Sequence, residues 1–123
     1  MGLEVHMEEM SGHLAATIIG SEGRHVVEEV CRQFETVAEH CKRTKKDKVL
    51  IDTRQAEGKV SFIDRFLIGE RTRIFACYGL KVVFVDRPER IDPQKFGELV
   101  ARNRGVNVRI FSDFHSAEEW LLE

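Results

Sequence analysis

This sequence predicts an α/β fold: a mostly parallel five-stranded sheet with one antiparallel edge strand, in the order β-β-α-β-α-β-α-β-α. Three observations carry the prediction. Short apolar runs recur along the chain as KVLID (48–52), LKVVFVD (80–86) and NVRIF (107–111), each the length of a strand. Between them, apolar residues return every three or four positions, which is the period of a helix. Strands that alternate with helices must be joined by crossovers, and crossovers produce parallel neighbours. At 123 residues the chain has the length of one domain, taken as 1–123.

The elements follow in order. LEVHM (3–7) and HLAATIIG (13–20) flank a polar stretch whose Ser11-Gly12 suits a tight turn, so they read as a hairpin. From Glu22 the period lengthens. Val26, Val27, Val30, Cys31, Phe34, Val37, Ala38 and Cys41 mark one long amphipathic helix ending in the cationic KRTKKDK. KVLID is the third strand. Phe62, Ile63, Phe66, Leu67 and Ile74 fit a second helix closing near Gly79. LKVVFVD is apolar on consecutive positions, as in an interior strand covered on both faces. Asp92 is placed to cap a third helix with Pro93 at its first position. NVRIF is the last strand, and Phe114, Ala117, Trp120 and Leu121 line the inner face of a terminal helix.

Composition narrows the function classes. With 42% hydrophobic and 33% charged residues the chain reads as soluble and globular. A net charge of -2 argues against nucleic acid as a partner, because a polyanion is held by a cationic field. No apolar run reaches membrane-span length and the first residues lack a signal-peptide pattern, so integral membrane association is not expected and a cytoplasmic location is. Cys31, Cys41 and Cys77 sit in apolar patterns and read as reduced core thiols. No metal or cofactor is expected. His6 and His13 could approach across the hairpin, yet a third ligand is missing.

In a parallel sheet ligands gather beyond the carboxyl ends of the strands. That edge collects residues 20–23, 52–61, 86–90 and 112–113. Asp52 can accept loop N–H groups by turn chemistry. Ser61, three residues before Asp64, resembles a capping box. Arg54 and Lys59 could hold an anion near the helix start. Asp52, Arg54, Lys59, Ser61, Asp64, Phe62 and Phe66 are therefore the candidate ligand- or partner-binding residues. A catalytic role would have to draw on Asp52, Arg54, Ser61 and Asp86, and no pattern here dictates a reaction. Arg102 and Arg104, near Gly105, are explained by a helix end and face away from the ligand edge.

VLIDTR at the third strand, DPQKF before the third helix and ARNRGVNVRIFSDFHSAEEWL at the end carry a family resemblance. On these residues the chain resembles the SpoIIAA-like superfamily of STAS domains and lipid-carrying CRAL-TRIO domains, and more closely the small stand-alone bacterial STAS-related proteins. The resemblance spans essentially the whole chain and implies a β-α superhelix. In the family's anti-sigma factor antagonists the helix after this loop opens with an Asp-Ser-Ser-Gly-like motif whose serine is phosphorylated to switch partners. Aligned on FIDRF, Asp64 stands at the aspartate while Arg65 and Phe66 replace the serines, so the phosphoacceptor is absent. Ser61 is the nearest hydroxyl.

The leading expectation is thus a non-enzymatic binding or regulatory module that self-associates as a dimer. Ala15, Ile19, Leu50, Val83 and Val85 alternate with Leu14, Ala16, Ile18, Val49, Ile51, Val82 and Phe84, so both strand faces are apolar and one needs a partner. The first alternative is a carrier of a small apolar ligand or lipid, with Phe62, Phe66, Leu67, Phe75 and Tyr78 lining its pocket. The second is an enzyme of unassigned reaction.

Overall fold

Strands β1 (Leu3–Glu9) and β2 (Leu14–Ser21) form the expected antiparallel hairpin, in register from Leu3 opposite Gly20 to Glu9 opposite Leu14. The Met10 N–H donates to the His13 carbonyl at 2.9 Å and closes the turn over Ser11-Gly12. At the far end Gly20 has φ of 123°, and a Cβ there would lie 2.3 Å from the Gly2 carbonyl oxygen. Only glycine lets the two strand ends approach so closely. The computed structural model describes residues 2–21, 26–58 and 60–123. The expected helix start at Glu22, together with Gly23 and His25, lies outside them, as does Lys59.

The remaining elements are α1 (Val26–Thr44), β3 (Lys48–Asp52), the two-residue β4 (Ala56–Glu57), α2 (Phe62–Arg71), α3 (Arg73–Cys77), β5 (Lys81–Val85), α4 (Phe96–Asn103), β6 (Asn107–Phe111) and α5 (Phe114–Leu122). Strand order is β1-β2-β3-β5-β6, parallel throughout except for the β1–β2 edge. The fold class read from the sequence is therefore the one observed. Tiny β4 is an addition: after β3 leaves β2, Ala56 and Glu57 re-pair with Gly20 and Ser21.

The alternation of strand faces is also as read. Leu14, Ala16, Ile18, Val49, Ile51 and Val82 pack against α1, whose stripe buries Val26, Val30, Phe34, Val37, Ala38 and Cys41. Phe34 lies at the centre, 5.1 Å from the Phe75 ring and 5.8 Å from that of Phe84. Burying each such side chain stabilises the fold by about 1.5–3 kcal/mol. On the opposite face Leu50, Val83 and Val85 lie beneath Ala117 and Leu121 of α5. The β3 and β5 part of the face that seemed to need a second subunit is thus covered by the chain's own last helix, while Ala15 and Ile19 of β2 are half-buried.

Four local expectations need correction. The second helix is broken at Thr72, whose buried hydroxyl bonds back to the Gly69 carbonyl while its N–H is shared between Ile68 and Gly69. Such back-bonding competes with helix continuation. The third helix begins at Phe96, not Pro93, because Lys95 takes a left-handed conformation with φ of 51°. The Asp92 carboxylate still serves the new start, accepting the Phe96 N–H at 2.9 Å. Cys31 and Cys41 are buried, but Cys77, at the end of α3, is exposed. Finally, His6 lies across from Thr17, so the hairpin does not bring it to His13. Among the described residues no group of three metal-ligating side chains occurs, and no helix is long and apolar enough to cross a membrane.

Candidate functional site

The loop after β3 distributes its residues over three surroundings. Asp52 and Val85 are paired neighbours, and both point to the α5 side of the sheet. There the Asp52 carboxylate accepts the Arg54 backbone N–H at 3.0 Å, as turn chemistry predicts, and holds the Arg54 guanidinium through two bonds of 3.0 and 2.8 Å. That pairing raises the Arg54 pKa further. The guanidinium also lies 5.8 Å from the Phe114 ring. Arg54 is therefore paired within the fold, with its side chain 42% exposed.

Ser61 is the N-cap of α2, and its hydroxyl accepts the Asp64 N–H at 3.1 Å. A cap of this kind stabilises a helix by about 1 kcal/mol. Asp64 sits half-buried in the first turn. The four side chains nominated for catalysis have separate commitments: Asp52 to Arg54, Ser61 to its helix, and Asp86 to the Arg87 N–H at 2.7 Å and the Arg90 guanidinium at 3.6 Å. Burial pushes the Asp86 carboxyl above the ordinary range, against the opposing pull of those two partners.

Phe62 and Phe66 face outward. Phe62 is 66% exposed and Ile63 68%, and the Phe62 ring stacks on Phe96 of α4 with centroids 4.4 Å apart. With Phe66 and Leu99 they form an apolar ridge along α2 and α4. Patches of this kind on a soluble protein mark contact surfaces.

Beneath that ridge lies a cavity of about 800 Å³. Its cause is the way α2 packs. The helix rests mainly on α4 and α1, and its closest approach is at Gly69, where a Cβ would lie 3.0 Å from both the Gly97 carbonyl oxygen and the Val100 Cβ. Held by its neighbours, α2 roofs the carboxyl half of the sheet and leaves space beneath it. Ile18, Val30, Phe34, Phe84, Val108 and Ile110 form the apolar walls. None of the five residues expected to line a pocket does so. Phe62 and Phe66 are on the outer ridge, Phe75 is fully buried in the core, and Leu67 and Tyr78 are absent from the lining. The α2 face turned inward carries Arg65, Ile68 and Gly69 instead, with Thr72 just beyond its end.

The mouth is polar, built from Thr53, Glu57, Asp86, Arg87, Glu89 and Arg90, with Arg65 reaching over it to donate to the Arg90 carbonyl at 3.2 Å. Arg90 in turn donates to the Ala56 carbonyl. Sequence reasoning placed 86–90 on the ligand edge but read it as a connecting loop. Its signal was the spacing Asp86-Arg87-x-x-Arg90, which a 3-10 turn at Pro88–Arg90 folds back over the opening. Arg104 pairs with Glu70 at 2.8 Å, away from this opening, consistent with its structural reading.

No protein-family model matches the sequence, and no curated protein matches it. Solved structures do share the fold. An anti-sigma factor antagonist from Mycobacterium paratuberculosis superposes with a TM-score of 0.60 at 11% identity, over 99% of this chain and 96% of that one. A serine-to-glutamate variant of RsbS from Moorella thermoacetica gives 0.59 at 13% identity, over 95% and 93% of the two chains. An uncharacterized DUF3478-family protein with a SpoIIAA-like fold from Shewanella loihica gives 0.57 at 19%, over 98% and 94%. The chain therefore has a SpoIIAA-like fold.

Proposed function

We propose that this chain is a single-domain, non-enzymatic regulatory module of the cytoplasm that self-associates through the α2–α4 ridge. The observation that carries the reading is the exposure of three large apolar side chains, Phe62 and Ile63 on α2 and Leu99 on α4. An isologous interface sets the same patch against itself, so the exposed apolar side chains of two copies would bury one another. The regulatory part is supported by the fold shared with anti-sigma factor antagonists. A simple phosphoserine switch is not part of the proposal, because Arg65 and Phe66 stand at the expected serines and the Ser61 hydroxyl already caps α2.

Light scattering tests self-association. The expected mass is twice that of the 14.2 kDa chain, reduced to one chain by Ile63→Asp with an unchanged circular dichroism spectrum. A wild-type monomer throughout the micromolar range would remove the second copy and leave the ridge to a different protein.

The cavity favours a second reading, carriage of a small and largely apolar molecule. Native interiors hold few voids larger than a water molecule, whereas ligand sites span about 300–1,000 Å³. At about 800 Å³ the space under α2 belongs to the second group. The two readings use opposite faces of α2 and are compatible.

A further inference from the structure

We infer that the outer edge of β1 takes up an extended segment of a partner protein as one more strand, and that this segment alternates apolar and cationic residues. The two edges of the sheet differ. At β6 the outward peptide groups of Ile110 are occupied by α4 and the residue before it: the N–H donates to Glu98 at 2.8 Å, and the carbonyl accepts from the Lys95 ammonium at 3.1 Å. Along β1 the outward groups follow from the hairpin. The Met10 N–H donates to the His13 carbonyl, which makes those two a hydrogen-bonded pair. Such pairs alternate along an antiparallel ladder, so Glu8, His6 and Glu4 bond to β2 while the backbone of Leu3, Val5, Met7 and Glu9 points outward. The Leu3 carbonyl accepts from the Gln33 side chain at 3.0 Å, in keeping with that direction. Val5 and Met7 meet no strand on their outward side. A row of such N–H and C=O groups is a template for strand addition.

The side chains of β1 select the segment. On the α1 side of the sheet Leu3, Val5 and Met7 are half-buried against the main core. On the other side Glu4, His6 and Glu8 are exposed, with His6 3.5 Å from Glu4. Directly opposed residues of neighbouring strands share a face, so an added strand sets its own alternating side chains against these two rows. Apolar residues on it would extend the half-buried row, and cations at the intervening positions would pair with Glu4 and Glu8. Glu29 of α1 adds a carboxylate near Gly2. The permanent cations of this edge gather at the turn end: Lys46 donates to the Met10 carbonyl at 2.7 Å, and Arg43 lies beside His40, which faces Glu9.

A second copy of this chain fits the edge less well. In the antiparallel register that pairs all seven residues of β1 with their equivalents, Glu4 stands opposite Glu8 twice. Like charges directly opposite one another destabilise a strand pair, whereas opposite charges stabilise it. The carboxylates that keep out another β1 are the ones that admit a cationic strand.

Titration calorimetry on the full chain tests the inference with three capped heptapeptides: alternating lysine and valine, alternating glutamate and valine, and the same lysines and valines grouped in two blocks. The alternating cationic peptide is expected to bind at least about tenfold more tightly than either of the others. Joint Glu4→Lys and Glu8→Lys substitution should reverse the preference toward the glutamate peptide. Val5→Pro removes an outward N–H, leaves the bonds to β2 in place and should abolish binding. Should Val5→Pro not fold, hydrogen exchange on the wild type reads the same bonds, because the amides of Val5 and Met7 should slow when the cationic peptide is saturating. Ile63→Asp, which alters the α2 ridge, should leave peptide binding unchanged. Failure of the peptides to bind, equal affinity for all three, or unchanged exchange at Val5 and Met7 overturns the inference. A dimer that persists in Ile63→Asp and is broken by Val5→Pro would give the edge to a second copy and overturn the assignment of the partner.

Discussion

His13 sits just ahead of β2, 2% exposed, with neither ring nitrogen hydrogen-bonded. Burial is the main reason its pKa lies below the ordinary value of 6.5; Glu118 pulls the other way and Lys46 adds to the depression. The unfolded chain therefore takes up a proton near pH 6.5 that the folded chain resists. It follows that the full stability is present above that pH and is lost as the pH falls through it. Thermal melts should show the midpoint dropping between pH 7.5 and 5, and His13→Leu should flatten that drop without lowering the midpoint at pH 7.5. An unchanged pH slope in the variant would remove His13 as its source. The role of a residue was legible where chemistry acts over one or two positions, as at Asp52, whose turn bonding follows from its place at a strand end. It was not legible at Arg65, Arg87 and Arg90, which come together only through the fold.

At the scale of elements, the crossing of α2 and α4 depends on the absence of a side chain at Gly69. Gly69→Leu would force methyl groups into a gap already closed by the Gly97 carbonyl and Val100. Overpacking of this kind costs about 1–3 kcal/mol. We expect a lower thermal midpoint, measured by calorimetry, despite the better helix propensity of leucine. A midpoint at or above wild type would mean the helices separate freely. The buried stripe of an element was legible where a single period ran uninterrupted, as from Val26 to Cys41 in α1. Boundaries were not legible at Thr72 and Lys95, where one side-chain bond and one left-handed residue override the pattern.

For the whole molecule, the two cores differ in how they are held. The central strands β3 and β5 are covered on both faces, with Val49, Leu50, Val82 and Val83 fully or almost fully buried. By contrast α2 stands over a cavity and buries little beyond Gly69. Local opening takes the path with the fewest buried apolar contacts. Hydrogen exchange should therefore find the amides of Leu50 and Val83 among the slowest and those of Arg65 to Ile68 faster by local opening. Equal protection in α2 and β5 would contradict a loosely seated roof.

The sequence by itself determined the order of the main elements, the two faces of each strand and the cap at Ser61. Each of these depends on spacing along the chain or on bonds between near neighbours. Only the tertiary structure decided that α5 covers β3 and β5 on the second face of the sheet and that α2 turns Arg65 and Gly69 inward. Apolar residues lie on several sides of α2, from Phe62 and Ile63 to Leu67 and Ile68, so its periodicity selects no single inner face. The selection comes from Gly69, where contact with α4 is closest. That contact sets the roof, the cavity beneath it and the guanidiniums at its mouth.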